Sequence, residues 1–401
     1  MEAIHKINMI VKNILFYIYA SFVGLFIFIL SPIVNIRIGK LISSRIGHYV
    51  LNTELYICEK SNNINTPKGN YIDLWFEGNV SNIQISKMWR RELTLLPKLF
   101  LFPVYTLFSK HKYFHKFLIK ENTCHDRDVL GLLQNSMPNL VFNCDELKKG
   151  YSYLEKYGVK KDDKYICLFV RDSAYLNTVY PNNNWSYHDY RDVNVSNYEL
   201  ACEYLSNTGY KVFRMGAVVS NPISFASENI IDYATNGDRN PFLDVFLGAH
   251  CYFAISTSSG WDAIPLAFRR PVLFTNFAPI GYLQTWVKNS MFTHKKMIDD
   301  EGNLLTISEI FNRGFGGCLN GHDLAQNNIH FVENSPAELR GAVSDMLNYI
   351  QSGSSDLTYL ESSFWDMFKN GVDTNGLNHL HGDICLRCST SFLKSNASWM
   401  K

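Results

Sequence analysis

The chain opens with its longest apolar run and continues as alternating short strand and helix patterns. Residues 13–36 carry no charged side chain, and this length is enough to cross about 30 Å of hydrocarbon as a helix. Pro32 predicts the end of that helix near Ser31, and the alternating residues 34–41 then predict a strand. Further strands are predicted at 71–78 and 164–172. Strands that alternate with helices of ordinary length predict a parallel sheet covered on both faces.

Basic residues flank the apolar run on both sides. Lys6 and Lys12 precede it, and Arg37, Lys40 and Arg45 follow it without an intervening acid. This pattern predicts a single N-terminal anchor in the cytoplasmic membrane, with the body of the chain in the cytoplasm. A cleaved signal peptide is disfavoured, because the apolar core is too long and no small-x-small site follows. A buried core helix and a helix lying in the membrane interface remain open alternatives.

The 401 residues suit two domains of about 150 residues each. The polar stretch 143–164 is the predicted boundary. We therefore predict a tail and anchor helix over 1–36, a first Rossmann-like domain over 37–155, a second over 156–355, and a helical tail over 356–401 that has the length to cross back to the first domain. One helix is predicted in detail at 334–350, where Ser335 is the N-cap, Pro336 the first helical residue and Glu338 completes a capping box.

Residues 82–120 are mostly helical in pattern and mix basic with aromatic residues. A surface that faces a membrane or an acceptor is one interpretation, and ordinary packing of an amphipathic segment is the other. The pattern favours ordinary packing.

Composition excludes several classes of protein. The chain is 46% hydrophobic and 19% charged, which is typical of a globular protein and not of a disordered one. A net charge of +1, without a basic stripe, argues against a nucleic-acid partner. Nine cysteines without framework spacing indicate a reducing compartment.

Candidate chemistry lies where predicted strands end, since ligands of open α/β sheets bind at the carboxyl ends of strands. The run Ser256, Thr257, Ser258, Ser259, Gly260 stands between a predicted strand and a predicted helix. Its backbone N–H groups and hydroxyls, with the helix dipole, predict a site for a diphosphate. The alternative is a helix cap with a turn, although four hydroxyl residues in a row exceed what a cap needs.

Arginines form the second group of candidates. Arg171 and Asp172 directly follow the strand at 164–172, and a guanidinium there can pair with a phosphate through two hydrogen bonds. Arg214 and Arg239 occupy similar positions. A salt bridge to a neighbouring acid is the equally open alternative for Arg171.

Two other sets of residues are candidates. The polar-aromatic run 185–192 offers Tyr187 and His188 for recognition of a sugar or base, or forms a well-bonded structural loop. In the first domain, His48 near the start of a predicted helix is our first candidate for a general base, and Glu54 is the second. A histidine at a helix start is more often a cap.

Several signals are set aside. Asp126-Arg127-Asp128 has the Asp-x-Asp form of a metal site, but it precedes a helical pattern at 129–136 and is interpreted as an N-terminal charge. Cys385 and Cys388, with His379 and His381, fit no common zinc spacing. Asp299-Asp300 is interpreted as a solvated turn. We therefore expect no metal and no cofactor.

Several segments resemble, in order, the signatures of a bacterial family of glycosyltransferases in surface-carbohydrate (capsule and O-antigen) synthesis. They are residues 45–59, 170–176, 185–192, 213–216, 231–239, 255–265 and 391–396. The resemblance spans residue 36 to the C-terminus. It implies the GT-B type of fold, in which two Rossmann-like doubly wound domains face a cleft. The second domain would hold the nucleotide-sugar donor.

A fainter resemblance connects residues 241–268 with the donor motif of GT-B fucosyltransferases. Asp244 matches their Asp before the strand, and the Ser256–Gly260 loop matches their Ser/Thr loop, which holds the donor phosphates. Arg171 matches the Arg of their His-x-Arg motif, but Phe169 stands in place of the His. Because of this departure, the resemblance does not extend to a fucosyl donor.

Together these features predict an inverting, metal-independent glycosyltransferase. The expected partners are a nucleotide-sugar, a lipid-linked or polysaccharide acceptor and the membrane. The alternatives are an enzyme similar to a nucleotide-sugar epimerase and a non-catalytic scaffold of polysaccharide assembly.

Overall fold

The computed structural model describes residues 2–120, 126–179, 181–353 and 356–400, without the side chains of residues 2–4, 6, 7 and 10. The chain forms two compact units: unit 1 is Met1–Asp126 with Asn139–Val141, and unit 2 is Arg127–Pro138 with Phe142–Lys401. This division falls earlier than the predicted boundary at 143–164. That stretch begins with a helix, Cys144–Glu155, which belongs to unit 2.

Unit 1 contains four helices and a small parallel sheet in the part of the chain that the structure describes. Its elements are α1 (Glu2–Leu30), β1 (Asn35–Lys40), α2 (Ile46–Ser61), β2 (Tyr71–Phe76), α3 (Ile83–Glu92) and α4 (Lys98–Ser109). β1 and β2 are parallel, with Ile38 opposite Leu74. Single bridges place Leu118 beside Ile38 and Leu95 beside Trp75. The predicted strand-helix-strand opening is confirmed, and its sheet has two regular strands among the described residues.

The two faces of this sheet differ in chemistry. Ile38 and Phe76 pack against α4 and α1 through Val104, Phe108 and Ile27. On the other face, the Arg37 guanidinium forms a buried ion pair with Asp73 at 2.7 Å. The apolar face therefore attaches the N-terminal helix to unit 1.

α1 carries the predicted anchor. Val11–Leu30 is long and apolar enough to cross a membrane, by length and composition. The helix begins at Glu2, earlier than the uncharged run, and ends at Leu30, as Pro32 predicts.

Unit 2 is built on a seven-stranded sheet. Its elements are α5 (Cys144–Glu155), β3 (Tyr165–Phe169), α6 (Ala174–Val179), α7 (Glu199–Asn207), β4 (Lys211–Met215), β5 (Ile230–Ile231), α8 (Pro241–His250), β6 (Phe253–Ser256), α9 (Ala263–Ala267), β7 (Val272–Phe277), β8 (Met291–His294), β9 (Lys296–Asp299), α10 (Ile307–Asn312), α11 (Gly321–Gln326), β10 (Ile329–Val332), α12 (Pro336–Ser352), α13 (Tyr359–Thr374), β11 (Arg387–Cys388) and α14 (Thr390–Ser395). β9 and β10 form a separate antiparallel pair.

The main sheet has the order β11-β8-β7-β6-β3-β4-β5, and all of its pairings are parallel. Counted from β3 as the first strand, β5 to β8 follow the order 3-2-1-4-5-6 of the doubly wound nucleotide-binding fold. Ile166 and Leu168 of β3 pack under α7 and α12, and on the opposite face the Tyr165 hydroxyl donates to the Leu247 carbonyl of α8. The α/β prediction is confirmed in unit 2.

The C-terminal residues complete unit 2. β11 extends the sheet beside β8, and Arg387 donates two hydrogen bonds of 2.7 Å to Glu361 of α13. Trp399 is fully buried. The predicted tail 356–401 is therefore part of the unit 2 core. Helix α12 begins as predicted, with Ser335 and Glu338 forming a capping box.

Candidate functional site

The candidate site of unit 2 lies where the sheet changes direction. From β3 the chain proceeds to β4 and β5 on one side, and then returns to β6 on the other. Such a switch point leaves a crevice at the carboxyl ends of the two central strands, where ligands of open α/β sheets bind. The Arg171 backbone N–H donates to the Thr257 hydroxyl at 2.9 Å across this point. Two sequence-predicted residues from distant segments thus meet here.

Arg171 has two protein partners at the switch point. Its guanidinium pairs with the Asp192 carboxylate and donates to the His188 carbonyl at 3.1 Å. The side chain is 12% exposed. Burial lowers the Arg171 pKa, an effect that Asp192 partly offsets. The salt-bridge alternative is therefore realised in the present state, and phosphate binding would exchange one anion for another.

Asp172 connects two loops of the site. Its carboxylate accepts the N–H groups of Ala174 at 2.9 Å and Ser220 at 3.0 Å. The loops after β3 and β4 are fixed to each other by these bonds. The geometry gives Asp172 a positioning role in the described state.

The serine loop uses most of its hydroxyls internally. Ser256 donates to Asp262, Thr257 accepts from Arg171, and Ser259 accepts the Trp261 N–H at 3.2 Å. Gly260 begins a 3₁₀ turn, and the helix that follows, α9, has five residues. Internal hydrogen bonds thus occupy three hydroxyls, of which Ser259 alone is a helix cap, and the short helix contributes little dipole.

Ser258 differs from its neighbours. Its φ of 58° lies in the left-handed region, which is uncommon for a residue with a side chain and occurs preferentially at functional sites. The Ser258 carbonyl accepts a hydrogen bond from Arg191. Strand β6 is therefore followed by a strained turn at Ser258, and the guanidinium of Arg191 donates a hydrogen bond to the carbonyl of that turn.

The structure adds three residues that we did not select from the sequence: Arg191, Asp192 and Lys295. Lys295 Nζ donates to the carbonyls of Tyr190 at 2.8 Å and Asp192 at 2.7 Å. Burial lowers the Lys295 pKa to about 8, although Glu333 and Asp192 oppose this. Burial raises the Asp192 pKa to about 6, against the effect of Arg171.

The sequence contains features that could have pointed to each of these three residues. Arg191 and Asp192 lie inside the polar-aromatic run 185–192, from which only Tyr187 and His188 were chosen. Lys295 directly follows β8, a four-residue strand that was not predicted. Locating that strand would have placed Lys295 at the carboxyl edge of the sheet.

Other predicted donor residues have partners of their own. Arg214 is 1% exposed and donates to Asp232 at 3.0 Å. Asp244 lies in the first turn of α8, where it accepts from Arg239 at 2.8 Å and Tyr233 at 3.0 Å. Arg214 and Asp244 therefore stabilise the fold through these contacts.

Tyr187 and His188 lie in the 3₁₀ turn Ser186–Arg191, with their ring centroids 4.0 Å apart. The turn supplies the carbonyl that receives Arg171. The predicted recognition run is therefore adjacent to the switch point.

The two candidate bases of unit 1 differ in accessibility. His48 lies in the first turn of α2, and its Nδ1 is 3.3 Å from the Asn52 amide oxygen and 3.8 Å from Asp126. Its side chain is 29% exposed. Glu54 is fully buried and accepts the Asn139 backbone and side-chain N–H groups, both at 3.1 Å. The geometry favours His48 as the group that can reach a substrate.

The Asp-x-Asp segment is divided among three tasks. Asp126 lies beside His48, and Arg127 donates to the carbonyls of Leu380, Tyr282 and Leu283. Asp128 accepts the N–H groups of the following turn, at 2.8 Å each. Instead of the helix predicted over 129–136, turns and the 3₁₀ segment Leu133–Asn135 follow, because Asp128 stabilises a tight turn.

Metal-ligating residues are dispersed in the described ranges. Those ranges contain no group of three or more His, Cys, Asp or Glu residues arranged to hold a metal ion. Cys388 is buried on β11, and His381 Nε2 is 3.1 Å from the Gly281 carbonyl. The Asp299 carboxylate accepts the Asn303 backbone N–H in the turn that follows β9.

No protein-family model matches the sequence. No curated protein matches it either.

Several solved structures are similar to the chain at low sequence identity. Heptosyltransferase II of Escherichia coli, which takes ADP-heptose, is 12% identical over 80% of this chain and 100% of its own, with a TM-score of 0.42. A glycosyl transferase of family 9 from Veillonella parvula is 9% identical over 59% and 79%, with a TM-score of 0.38. A proposed UDP-N-acetylglucosamine 2-epimerase from Listeria monocytogenes is 9% identical over 79% and 89%, with a TM-score of 0.34. TM-scores this low establish neither a common fold nor a common activity.

Proposed function

We propose that the chain is a GT-B type glycosyltransferase that moves a sugar from a nucleotide-sugar to an acceptor. The observation that carries the proposal is the group of cations at the switch point of unit 2. Arg171 follows β3 and Lys295 follows β8, and Lys295 Nζ donates to the carbonyl of Asp192, which pairs with Arg171 near the strained Ser258 turn. A diphosphate is the part of a nucleotide-sugar that such a group would bind.

The chemistry assigns separate roles to the two units. His48, whose Nδ1 is 3.3 Å from the Asn52 amide oxygen, takes the proton of the acceptor hydroxyl, whose oxygen then attacks the anomeric carbon. The bond from that carbon to the phosphate oxygen breaks, and the electron pair leaves with the nucleoside diphosphate. Arg171 and Lys295 stabilise the charge that develops on this leaving group. A single displacement inverts the anomeric configuration and uses no metal.

The acceptor in this proposal is a lipid-linked or polysaccharide chain of the cell surface. The apolar helix α1 supports it, because an anchored enzyme is held beside a lipid-linked substrate. The body of the chain then lies on the cytoplasmic side, as the basic residues after the helix indicate.

Nucleotide binding tests the proposal directly. The full chain, in detergent, is titrated with UDP, GDP, CMP, ADP and the corresponding nucleotide-sugars while the melting temperature is followed. We expect one nucleoside family to raise the melting temperature, since a ligand that binds only the folded state stabilises it. Failure of every nucleotide to do so would overturn the proposal.

Arg171→Ala locates the site. The variant should weaken donor binding by about 1.5–3 kcal/mol, because a charged hydrogen bond to phosphate is lost. Arg313→Ala is the matched control, since Arg313 is exposed and stacks on Phe315 in another part of unit 2. Equal binding by both variants would place the donor elsewhere.

Analysis of the products formed with and without an acceptor, together with nucleotide binding, separates the alternatives. An epimerase converts the nucleotide-sugar without any acceptor, whereas the transferase needs one. A scaffold binds no nucleotide and tolerates Arg171→Ala.

A further inference from the structure

α1 and α4 together expose a broad apolar surface on unit 1. α1 turns a stripe that includes Ala20, Gly24 and Ile27 toward unit 1, where these residues are buried. Its opposite side remains exposed, as does the outer side of α4. We define the α1–α4 surface by its exposed members Ile14, Ile18, Phe22, Phe26, Ile29, Leu99 and Phe100. Apolar surface of this extent marks an interaction site in a folded protein.

The contacts of α1 show how the helix is held. The Phe16 and Phe102 rings lie 6.0 Å apart, and a Cβ at Gly24 would be 3.1 Å from Phe108. α4 therefore packs along the middle of the segment that is long enough to span a membrane. A spanning α1 would draw α4 into the hydrocarbon with it.

Lysines make such insertion costly. Lys110 Nζ lies 4.9 Å from the Tyr17 ring centroid, and Lys116 Nζ lies 5.7 Å from that of Phe28. Tyr17 and Phe28 are separated by about 17 Å along the helix. If α1 crossed the bilayer, Lys110 would be drawn well into the hydrocarbon core, where a charge costs several kcal/mol.

The charge of this region is one-sided. Residues 93–120 contain five lysines, two histidines and no acid, although the whole chain carries a net charge of only +1. All five lysines are exposed: Lys98, Lys110, Lys112, Lys116 and Lys120. Lysines that flank an apolar helical face are typical of segments that lie in an anionic membrane surface.

An apolar recess lies between the two helices. It has a volume of about 320 Å³ and is lined mainly by apolar side chains, among them Leu25, Phe28, Leu107 and Phe114. An apolar recess of this size that opens to the surface offers space for lipid acyl chains.

We propose that α1 and α4 lie in the plane of one anionic leaflet and that α1 does not cross the membrane. The α1–α4 surface enters the acyl region, and the lysines stay at the headgroups. Both ends of the chain are then on the same side. This inference is independent of the proposed sugar transfer, and its tests measure binding and topology only.

Topology is the first test. The full chain, tagged at either end, is expressed in bacteria, and inside-out membrane vesicles are treated with a protease. We expect both tags to be digested. Protection of the N-terminal tag alone would show that α1 spans the membrane and would overturn the proposal.

Vesicle binding is the second test. The triple variant Lys110→Gln, Lys112→Gln, Lys116→Gln should bind phosphatidylcholine–phosphatidylglycerol vesicles roughly a hundredfold more weakly than the unchanged chain. It should bind phosphatidylcholine vesicles about equally. The control Lys148→Gln, Lys160→Gln, Lys161→Gln changes the same charge on exposed residues of unit 2. Equal losses in both triple variants would contradict the assignment of the lysines to this surface.

The role of α4 is tested by Leu99→Ser with Phe100→Ser. Both residues are exposed, at 78% and 49%, so we expect folding to be unaffected. We expect binding to either kind of vesicle to fall at least tenfold, roughly as for loss of two buried apolar side chains. Leu200→Ser, on the exposed side of α7, is the control. Unchanged binding by the α4 variant would exclude α4 from the membrane.

Discussion

Two side chains at the switch point ionise near neutral pH. Burial lowers the Lys295 pKa to about 8, and burial raises the Asp192 pKa to about 6. A falling pH therefore first charges Lys295 and then neutralises Asp192. Both changes make the site more positive, and the diphosphate of a nucleotide-sugar keeps its two charges throughout. We expect the dissociation constant to fall as the pH is lowered from about 9 to about 5, with steps near these two pKa values.

Lys295→Met isolates the upper step. Without the ammonium, the affinity should no longer change near pH 8, while the step near pH 6 remains. Calorimetric titration of a nucleotide-sugar at several pH values measures this, with Lys288→Met as control because Lys288 is exposed. Persistence of the step near pH 8 in Lys295→Met would assign it to another group.

Burial of the His294 ring destabilises the folded state. Its ring is fully buried against Trp399 at 5.3 Å, and neither ring nitrogen has a hydrogen-bond partner among the described residues. Burial lowers the His294 pKa to about 3, so the folded state keeps the ring neutral. The unfolded chain binds a proton below about pH 6.5, and stability is lost as the pH falls from there toward 3.

His294→Phe should therefore raise the free energy of unfolding by about 1–3 kcal/mol at neutral pH, with a larger gain in acid. Urea unfolding at pH 7 and pH 5 measures both effects. His379→Phe, at an exposed position, should change neither. A loss of stability in His294→Phe would mean that the ring nitrogens bind a group of their own.

For single residues, the sequence predicts where a side chain lies in the fold better than it predicts which residues that side chain contacts. Arg171, Asp172 and Thr257 could be placed at the switch point because strand ends converge in a parallel sheet. The burial of Glu54 could not be predicted, since helical periodicity does not reveal that Asn139 would return to bond it. Lys295 was missed because a four-residue strand carries little pattern.

Among the elements, the contact between α5 and α8 depends on a missing side chain. A Cβ at Gly150 would lie 2.1 Å from the ring of Phe246, which is fully buried. Gly150→Ala removes a helix-weakening glycine, yet we expect it to destabilise unit 2 by about 1–3 kcal/mol, because overpacking outweighs propensity. Denaturant unfolding measures this against Lys148→Ala on the exposed side of α5. Stabilisation of Gly150→Ala would show that Phe246 has room to move.

Elements were predictable where local signals were strong. The capping box of α12 and the apolar strands β3 and β6 follow from residues within each segment. The predicted boundary at 143–164 resembled a linker because it is polar, but Gly150 and Tyr153 are buried there. Polarity on the exposed side of a helix and polarity of a linker look alike in sequence.

For the whole molecule, the sequence predicts two α/β bodies but not how the chain divides between them. The segments Asn139–Val141 and Arg127–Pro138 belong to different units despite their proximity in the chain. The C-terminal residues looked like a separate tail because β11 has two residues and α14 has six. Their burial comes from contacts with distant residues, which no local pattern encodes.

Because the chain forms two units, a bound nucleotide-sugar should stabilise one unit and not the other. Every residue of the proposed diphosphate site lies in unit 2, so the ligand should stabilise unit 2 by about 2.7 kcal/mol at a hundredfold excess over its dissociation constant. Hydrogen exchange of the full chain resolves the units separately, because amides report the opening of their own region. We expect slower exchange in β3, β4 and β6 and unchanged exchange in β1 and β2. Arg171→Ala should reduce this stabilisation from about 2.7 to about 0.3–1.3 kcal/mol at the same ligand concentration. Protection confined to β1 and β2 would instead place the donor in unit 1 and reverse the roles proposed for the two units.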